Sequence, residues 1–117
     1  MRIIGNNPQL SRQTQGTASG AITSGKPVLV NTNGTVSQVS GSVTLTTENF
    51  IGFAEDTVAT GQPVTVNTKG AIDENQSSLT PAQQYFVQTN GTLGTSADDP
   101  SVVAGTAVTA TKLIVKG

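Results

Sequence analysis

A repeated turn-and-strand unit is the feature that most restricts how this chain can fold. Residues 24–36 (SGKPVLVNTNGTV) recur as residues 60–72 (TGQPVTVNTKGAI), and a weaker copy follows at residues 81–93 (PAQQYFVQTNGTL). Each copy opens with a turn residue, continues through an apolar or β-branched triplet, and ends in a turn that contains glycine. Because Asn and Gly tolerate the positive φ of tight hairpins, the repeat predicts β-hairpins duplicated inside one fold.

Further apolar stretches predict strands between and after these copies. They are residues 39–45, residues 49–54 (the most hydrophobic), residues 101–108 and residues 111–115. Together they give about eight or nine strands with closely spaced turns, which is typical of a sandwich or a barrel. Residues 80–84 could form a helical turn but are interpreted as the turn that opens a strand. The chain is predicted to be all-β, a compact β-sandwich or β-barrel built around repeated hairpin units.

The beginning of the chain is predicted to differ from the rest. Residues 1–20 have no period of 2 or 3.6 and read as an extended N-terminal arm, whereas residues 21–117 form a single β domain. The arm is either a disordered tail or a segment that orders against a partner. The residues that could anchor it to such a partner are Ile3, Ile4, Pro8 and Leu10.

Composition narrows the function classes. Charged residues make up 11% of the chain and the formal net charge is −1, with the six Lys and Arg spread singly. No basic patch could neutralise several phosphates, so direct binding of nucleic acid is not expected. There is no Cys, which excludes disulfides and thiolate metal sites. The chain lacks an apolar run that could cross a bilayer and a signal-peptide core, so we expect synthesis in a cytoplasm and no membrane contact.

The residues that usually carry chemistry are scarce. The chain has no His, Cys or Trp, which removes the commonest general base and metal ligand and the thiolate nucleophile. Its acidic residues show neither Ca²⁺-loop spacing nor a recognisable glycosidase pair; they are Glu48, Glu55, Asp56, Asp73, Glu74, Asp98 and Asp99. The four aromatic residues are too few for a stacking platform and are expected in the core. We therefore expect no enzyme activity, no catalytic residue, no cofactor and no metal.

Three segments resemble structural proteins of tailed bacteriophages, especially marine and cyanobacterial ones. They are residues 52–66 (GFAEDTVATGQPVTV), residues 79–91 and residues 98–107. Their succession of Gly-Phe-Ala, a polar turn and Gly-x-Pro-Val-x-Val is similar to that of small capsid decoration (cement) proteins. The resemblance covers about residues 20–117, marks β-turns rather than a reaction, and transfers no functional residue.

This resemblance implies a virion role. The first hypothesis is a decoration protein that binds the major capsid protein on the outer capsid surface, stabilises the shell and forms a homotrimer, with the N-terminal arm as a possible docking element. The alternative is a tail, fibre or other appendage component that binds virion proteins or host surface glycans. An enzyme such as a cell-wall hydrolase is the third and least favoured hypothesis.

Overall fold

The strands of this protein follow the turn pattern of the sequence. A computed structural model describes residues 13–116, and within that range it contains ten β-strands and no helix. The strands are β1 (Gln13–Thr17), β2 (Pro27–Val30), β3 (Val36–Gln38), β4 (Phe50–Ala54), β5 (Pro63–Thr68), β6 (Ile72–Asp73), β7 (Gln84–Val87), β8 (Leu93–Gly94), β9 (Val102–Ala107) and β10 (Leu113–Val115). They form two five-stranded antiparallel sheets, which confirms the predicted all-β sandwich architecture. Residues 13–116 accordingly contain no helical membrane span.

The two sheets are built from one five-strand unit that is used twice. The first sheet has the strand order β1-β5-β4-β2-β3, and the second has the order β6-β10-β9-β7-β8. Each strand of the second sheet therefore corresponds to the strand that lies five strands earlier in the chain, so that β6 corresponds to β1 and β10 to β5. We call strands β1 to β5 (residues 13–68) the first repeat and strands β6 to β10 (residues 72–115) the second repeat.

The repeats share a β-bulge at the same place. The pairing of β2 with β4 shifts between Val28 and Leu29, and the pairing of β7 with β9 shifts between Tyr85 and Phe86. One glycine in β4 and one in β9, each with φ of 150°, lie beside these bulges. In both, an added Cβ would collide with a backbone carbonyl of the next strand. The equivalence of the repeats therefore extends from strand order to individual residues.

The hairpins β2–β3 and β7–β8 have the same turn. In the first, Gly34 has φ of 88° and its N–H donates to the Asn31 carbonyl at 2.9 Å. In the second, Gly91 has φ of 91° and its N–H donates to the Gln88 carbonyl at 2.9 Å. In both turns an Asn side-chain oxygen accepts the hydroxyl of the Thr two residues later at 2.7 Å. The two hairpins predicted at Asn-Gly are confirmed.

The middle copy of the sequence repeat is not a hairpin. Strand β5 belongs to the first sheet and β6 to the second, so the turn at Lys69 and Gly70 carries the chain from one sheet to the other. A turn that contains glycine can join two strands of one sheet or two strands of different sheets. Its sequence pattern therefore does not distinguish a hairpin from a connection between sheets. The structural equivalent of residues 24–36 is the copy at residues 81–93, although that copy is weaker in sequence.

Two predicted boundaries also differ from the structure. Residues 39–45 form turns and irregular backbone instead of a strand, and Val39 and Leu45 pack on the core. Residues 13–20 of the predicted arm lie in or next to the first sheet, because β1 pairs with β5 over five residues. The polar, mostly exposed β1 is held at the sheet edge by backbone pairing, which leaves no apolar alternation in its sequence.

Two apolar clusters stabilise the sheets. The first lies on the inner face of the first sheet and consists of Ala18, Ile22, Val28, Val36, Ala54, Val64 and Val66. The second joins the two sheets and consists of Leu29, Val39, Leu45, Phe50, Phe53, Tyr85, Val87, Val102, Ala104, Ala107, Leu113 and Val115. Side chains alternate across a strand, so neighbouring residues of β2 enter different clusters. Among residues 13–116, the first sheet is therefore buried on both faces and the second sheet on one.

Candidate docking surfaces

The predicted docking residues of the arm, Ile3, Ile4, Pro8 and Leu10, lie outside the described residues, and their role stays a prediction. The candidate docking surfaces described here therefore lie within residues 13–116. The duplication provides a direct way to find them, because each position of one repeat can be compared with its equivalent in the other.

The face of each sheet that points away from its own repeat is called here its outer face. Cross-strand pairing places six residues of the first sheet on the first outer face: Gln13, Pro27, Leu29, Phe50, Phe53 and Asn67. The same pairing in the second sheet defines the second outer face, which consists of Ile72, Gln84, Phe86, Val103, Thr106 and Ile114. Position by position, these two sets are equivalent.

The two outer faces differ in what covers them. All the residues of the first outer face except Gln13 are buried, because the second sheet packs on them. No residue of the second outer face is buried. Asn67 is 0% exposed, whereas its equivalent Ile114 is 45% exposed, and nearby Val108 is 47% exposed. Within residues 13–116, the second outer face is therefore partly apolar and less buried than the first.

The edges of the two sheets differ in the same way. In the first repeat, Ala18 forms a parallel bridge with Val36 of β3, and the Ser19 N–H donates to the Val36 carbonyl at 2.9 Å. The first sheet is thus closed by a segment of its own repeat. In the second repeat, β8 is the last strand of its sheet, and no bridge from the described residues covers its outer edge.

A groove lies where the second repeat lacks this closure. Residues 75–79, which follow β6, form one wall, and residues 91–93 at the start of β8 form another. Residues 24–27 of the first repeat and Tyr85 complete the lining, and the volume is about 420 Å³. This volume is within the range of small-ligand sites and also suits an extended peptide beside a strand edge.

A buried polar cluster fixes one wall of the groove. Asp73 is 0% exposed and its carboxylate accepts hydrogen bonds from the side-chain amides of Asn67 at 3.0 Å, Asn75 at 3.0 Å and Gln76 at 2.7 Å. The Gln76 amide also donates to the Gly25 carbonyl at 2.6 Å. Burial of a carboxylate is tolerated only when it is well hydrogen-bonded, as here. The cluster thus ties the groove wall to both repeats.

Two acidic residues, Glu55 and Asp73, belong to the same polar network. Among residues 13–116, no group of three or more His, Cys, Asp or Glu could hold a metal ion. Glu55 and Asp73 are brought close, but both accept hydrogen bonds from the amides of Asn67 and Asn75, which occupy the space between them. These carboxylates therefore serve as acceptors in a structural network.

Asp98 stabilises the turn that follows β7. The Thr89 backbone N–H donates to its carboxylate at 2.9 Å, and the Asp99 backbone N–H and the Thr89 hydroxyl donate at 2.8 Å and 3.1 Å. The backbone bond from Thr89, followed by that from Asp99 and then by the hydroxyl bond, lowers the pKa of Asp98. The ionised form is the one that holds the turn.

Three of the four aromatic residues lie in the core, as predicted. Phe50 and Phe53 meet edge to face with ring centroids 5.7 Å apart, and the buried Tyr85 accepts the Thr80 N–H on its hydroxyl at 2.8 Å. Phe86 is only half-buried because it lies on the second outer face. The described residues therefore contain no cluster of exposed aromatic rings.

Comparison with known proteins does not identify a family. A scan against protein-family models gives no match, and a search of curated proteins finds no similar sequence. The function is therefore inferred from the residues and from the geometry of the two repeats.

Proposed function

We propose that this protein is a bacteriophage virion structural protein that decorates the capsid, binding the outer surface of the major capsid shell and stabilising it. The observation that carries the proposal is the open edge of β8 beside the groove. An exposed strand edge offers backbone N–H and C=O groups that can pair with an extended segment of another protein. Such pairing needs no catalytic group and little charge on either partner.

The rest of the molecule supports a docking role. The two repeats share one apolar cluster and a buried polar network, which makes the edge of β8 part of a rigid framework. A preorganised surface loses little conformational entropy on binding. The net charge of −1 and the polar strand faces would keep the free chain soluble before assembly. The resemblance to decoration proteins selects the capsid shell as the partner.

Co-sedimentation with expanded empty capsids tests this proposal. We expect the full-length chain to pellet with the capsids in a saturable manner and to raise the temperature at which the shells disrupt. The variant Ser77→Trp would place a large ring in the groove and lower the bound amount. The matched control is Thr60→Trp, which introduces the same ring at an exposed turn of the first repeat that does not line the groove.

Two results would contradict the proposal at different levels. If the chain stayed in the supernatant at all capsid concentrations, the decoration role would be wrong. If Ser77→Trp and Thr60→Trp bound equally well, capsid binding could stand but the edge of β8 would not be the docking site.

The groove also favours one alternative, a tail or appendage component that binds host glycans. Its lining includes hydrogen-bonding side chains such as Lys26, Asn75 and Ser77, which could contact sugar hydroxyls. Binding of the isolated chain to a glycan array, lost in Ser77→Trp and kept in Thr60→Trp, would favour this alternative over the capsid.

A further inference from the structure

We infer that the groove beside β8 receives an extended segment of the partner that runs parallel to β8, with an apolar residue opposite Leu93 and an acidic residue before it. The inference rests on the proposed docking at the edge of β8 and specifies the segment that docks there. The first repeat carries it, because there the chain itself supplies such a segment: Ala18 forms a parallel bridge with Val36 of β3. Val36 and Leu93 are equivalent, since each pairs with the last residue of the preceding strand.

The connection that leads to the second strand is shorter in the second repeat. In the first repeat it runs over nine positions, from Thr14, which pairs with β5, to Thr23, whose carbonyl closes the turn before β2. The equivalent Asp73 and Thr80 are seven positions apart. The longer connection brings Ala18 to β3, whereas the groove lies between the shorter connection and β8.

The backbone of β8 is oriented to accept a strand on this side. The Gln88 N–H donates to the Thr92 carbonyl at 2.8 Å, so Gln88 and Thr92 form a hydrogen-bonded pair. Such pairs alternate along an antiparallel ladder with pairs that are not hydrogen-bonded, and the next pair is Val87 and Leu93. The N–H and carbonyl of Leu93 therefore point away from β7. Within residues 13–116, no bridge or backbone hydrogen bond satisfies them from the open side.

The equivalent backbone groups in the first repeat show what satisfies them. The Val36 carbonyl accepts the Ser19 N–H at 2.9 Å, next to the parallel bridge of Ala18. A partner segment in the same direction would place its own N–H on the Leu93 carbonyl. The segment is therefore expected to be parallel to β8.

The apolar lining of the groove repeats the surroundings of Ala18. Ala18 is 1% exposed and belongs to one cluster with Ile22, Val28 and Val36. By strand pairing and by the turn that opens β2 and β7, the equivalents of the last three are Leu79, Tyr85 and Leu93, which all line the groove. No residue among those described bridges to β8 as Ala18 does to β3. The partner is therefore expected to supply an apolar side chain at this place.

The position of Lys26 predicts an acidic residue in the partner segment. Lys26 is the only charged side chain among the described residues that line the groove. It precedes Pro27, whose carbonyl accepts the Val39 N–H at 2.9 Å, and the Val39 carbonyl lies against Gly91, just before β8. Lys26 is therefore near the start of β8, where a parallel segment has the residues that precede the one opposite Leu93. A carboxylate there would be attracted to the Lys26 ammonium group.

The charge also favours another protein over this chain as the source of the segment. Residues 1–12 contain Arg2 and Arg12 but no acidic residue, so they offer Lys26 no counter-charge. Under the proposed function, the segment belongs to a protein of the capsid shell.

Binding of short peptides to the full-length chain, followed by NMR, tests the inference. The probe is residues 14–22 (TQGTASGAI), the segment that closes the first repeat, with Gln15→Glu, which adds a charge before Ala18 at almost unchanged shape. We expect saturable shifts of the Leu93 amide and the cross-strand NOEs of a parallel pair. The control peptide with Gln15→Lys should bind about fivefold more weakly. Ala18→Asp in the probe should abolish binding, because it would bury a carboxylate among apolar side chains.

Protein variants locate the contact. Ser77→Trp should abolish binding of the probe, whereas the control Thr60→Trp, outside the groove, should retain it. In Lys26→Gln the Gln15→Glu and Gln15→Lys peptides should bind with equal affinity, because the charge that distinguishes them is gone.

Three results would overturn the inference: no binding of the Gln15→Glu peptide, equal affinities of the two peptides for the natural chain, or the NOEs of an antiparallel pair. A peptide of residues 1–12 that bound this site more tightly than the probe would also overturn it, since the occupant would then be this chain. The capsid proposal is judged separately. Saturable co-sedimentation that is weakened by Ser77→Trp would leave that proposal standing even if no peptide bound.

Discussion

Phe53 and Thr106 occupy the same position in the two repeats, yet one is 0% exposed under the second sheet and the other faces solvent. The same contrast separates Asn67 from Ile114. It also separates β3, which is bridged by Ala18, from β8, whose outer edge is not bridged by any of residues 13–116. The two repeats therefore share backbone pairing and turns but differ in their neighbours. A repeat of this kind buries its outer face only against a further unit.

The comparison of the two repeats separates residues that serve the fold from surfaces that are available to a partner. A residue that both repeats retain in the same role, such as the turn glycine of each hairpin, serves the fold. A surface that is covered in the first repeat and open in the second is available to a partner. The groove beside β8 is such a surface, and we propose it as a docking site.

The largest expected effect concerns the outer faces. Phe53→Ala should lower the free energy of unfolding by about 3–5 kcal/mol, because it removes a fully buried ring from the cluster between the sheets. The equivalent change Thr106→Ala should alter it by less than about 0.5 kcal/mol. Urea unfolding of both variants measures the contrast. Equal losses would mean that the second sheet does not cover the first.

The polar cluster gives the next effect. Asp73→Ala removes one of the two acceptors that the side-chain amides of Asn67 and Gln76 each have, and should cost about 1–3 kcal/mol. Its equivalent in the first repeat is Thr14, which is exposed, and Thr14→Ala should be close to neutral. Thermal unfolding of the two variants checks this pair. A neutral Asp73→Ala would show that the network does not join the repeats.

The glycines of the two hairpin turns provide a third comparison between the repeats. Ala at Gly34 should cost about 1 kcal/mol for the positive φ alone, since nothing lies within 4 Å of an added Cβ there. Ala at Gly91 should cost about 1–3 kcal/mol more, because its Cβ would collide with the Val39 carbonyl. The difference between the two unfolding free energies is the quantity to measure. A larger loss at Gly34 would contradict the packing of the second hairpin on the first repeat.

The smallest effect is a dependence on pH at one turn. Because hydrogen bonds lower the pKa of Asp98 in the folded chain, its contribution to stability is present above the unfolded pKa and is lost as pH falls through the lower folded value. The NMR shift of the Thr89 amide should titrate with a midpoint below the ordinary range of aspartate. Asp98→Asn should abolish that titration. The equivalent amide of Thr32 is the control and should not follow it.

Sequence reasoning found the parts of the fold that depend on local chemistry. The Asn-Gly hairpins follow from the positive φ that their glycines adopt, and the buried Phe50 and Phe53 follow from an apolar strand. It did not predict the features that depend on contacts between residues distant in sequence. Strand β1 pairs with β5 through its backbone and through polar side chains, which leave no apolar alternation in its sequence. A glycine turn at Lys69 and Gly70 is compatible with a hairpin and with a connection between sheets.

The candidate surfaces could not be read from the sequence for a similar reason. Phe86 and Val103 have the same apolar character as their equivalents Leu29 and Phe50, and only the stacking order of the sheets decides which pair is covered. The weak copy of the sequence repeat at residues 81–93 was an indication that the two regions are equivalent. The structural alignment with residues 24–36 turns that weak similarity into a comparison of exposed and buried positions.

Amide hydrogen exchange at one serine beside β3 and one beside β8 distinguishes a closed sheet edge from an open one. The Ser19 N–H, which bonds to β3, should exchange slowly, whereas the N–H of Ser78, which lines the groove beside β8, should exchange at nearly the rate of an unfolded chain. Comparable protection at both amides would mean that the second sheet is closed like the first, and would contradict the account.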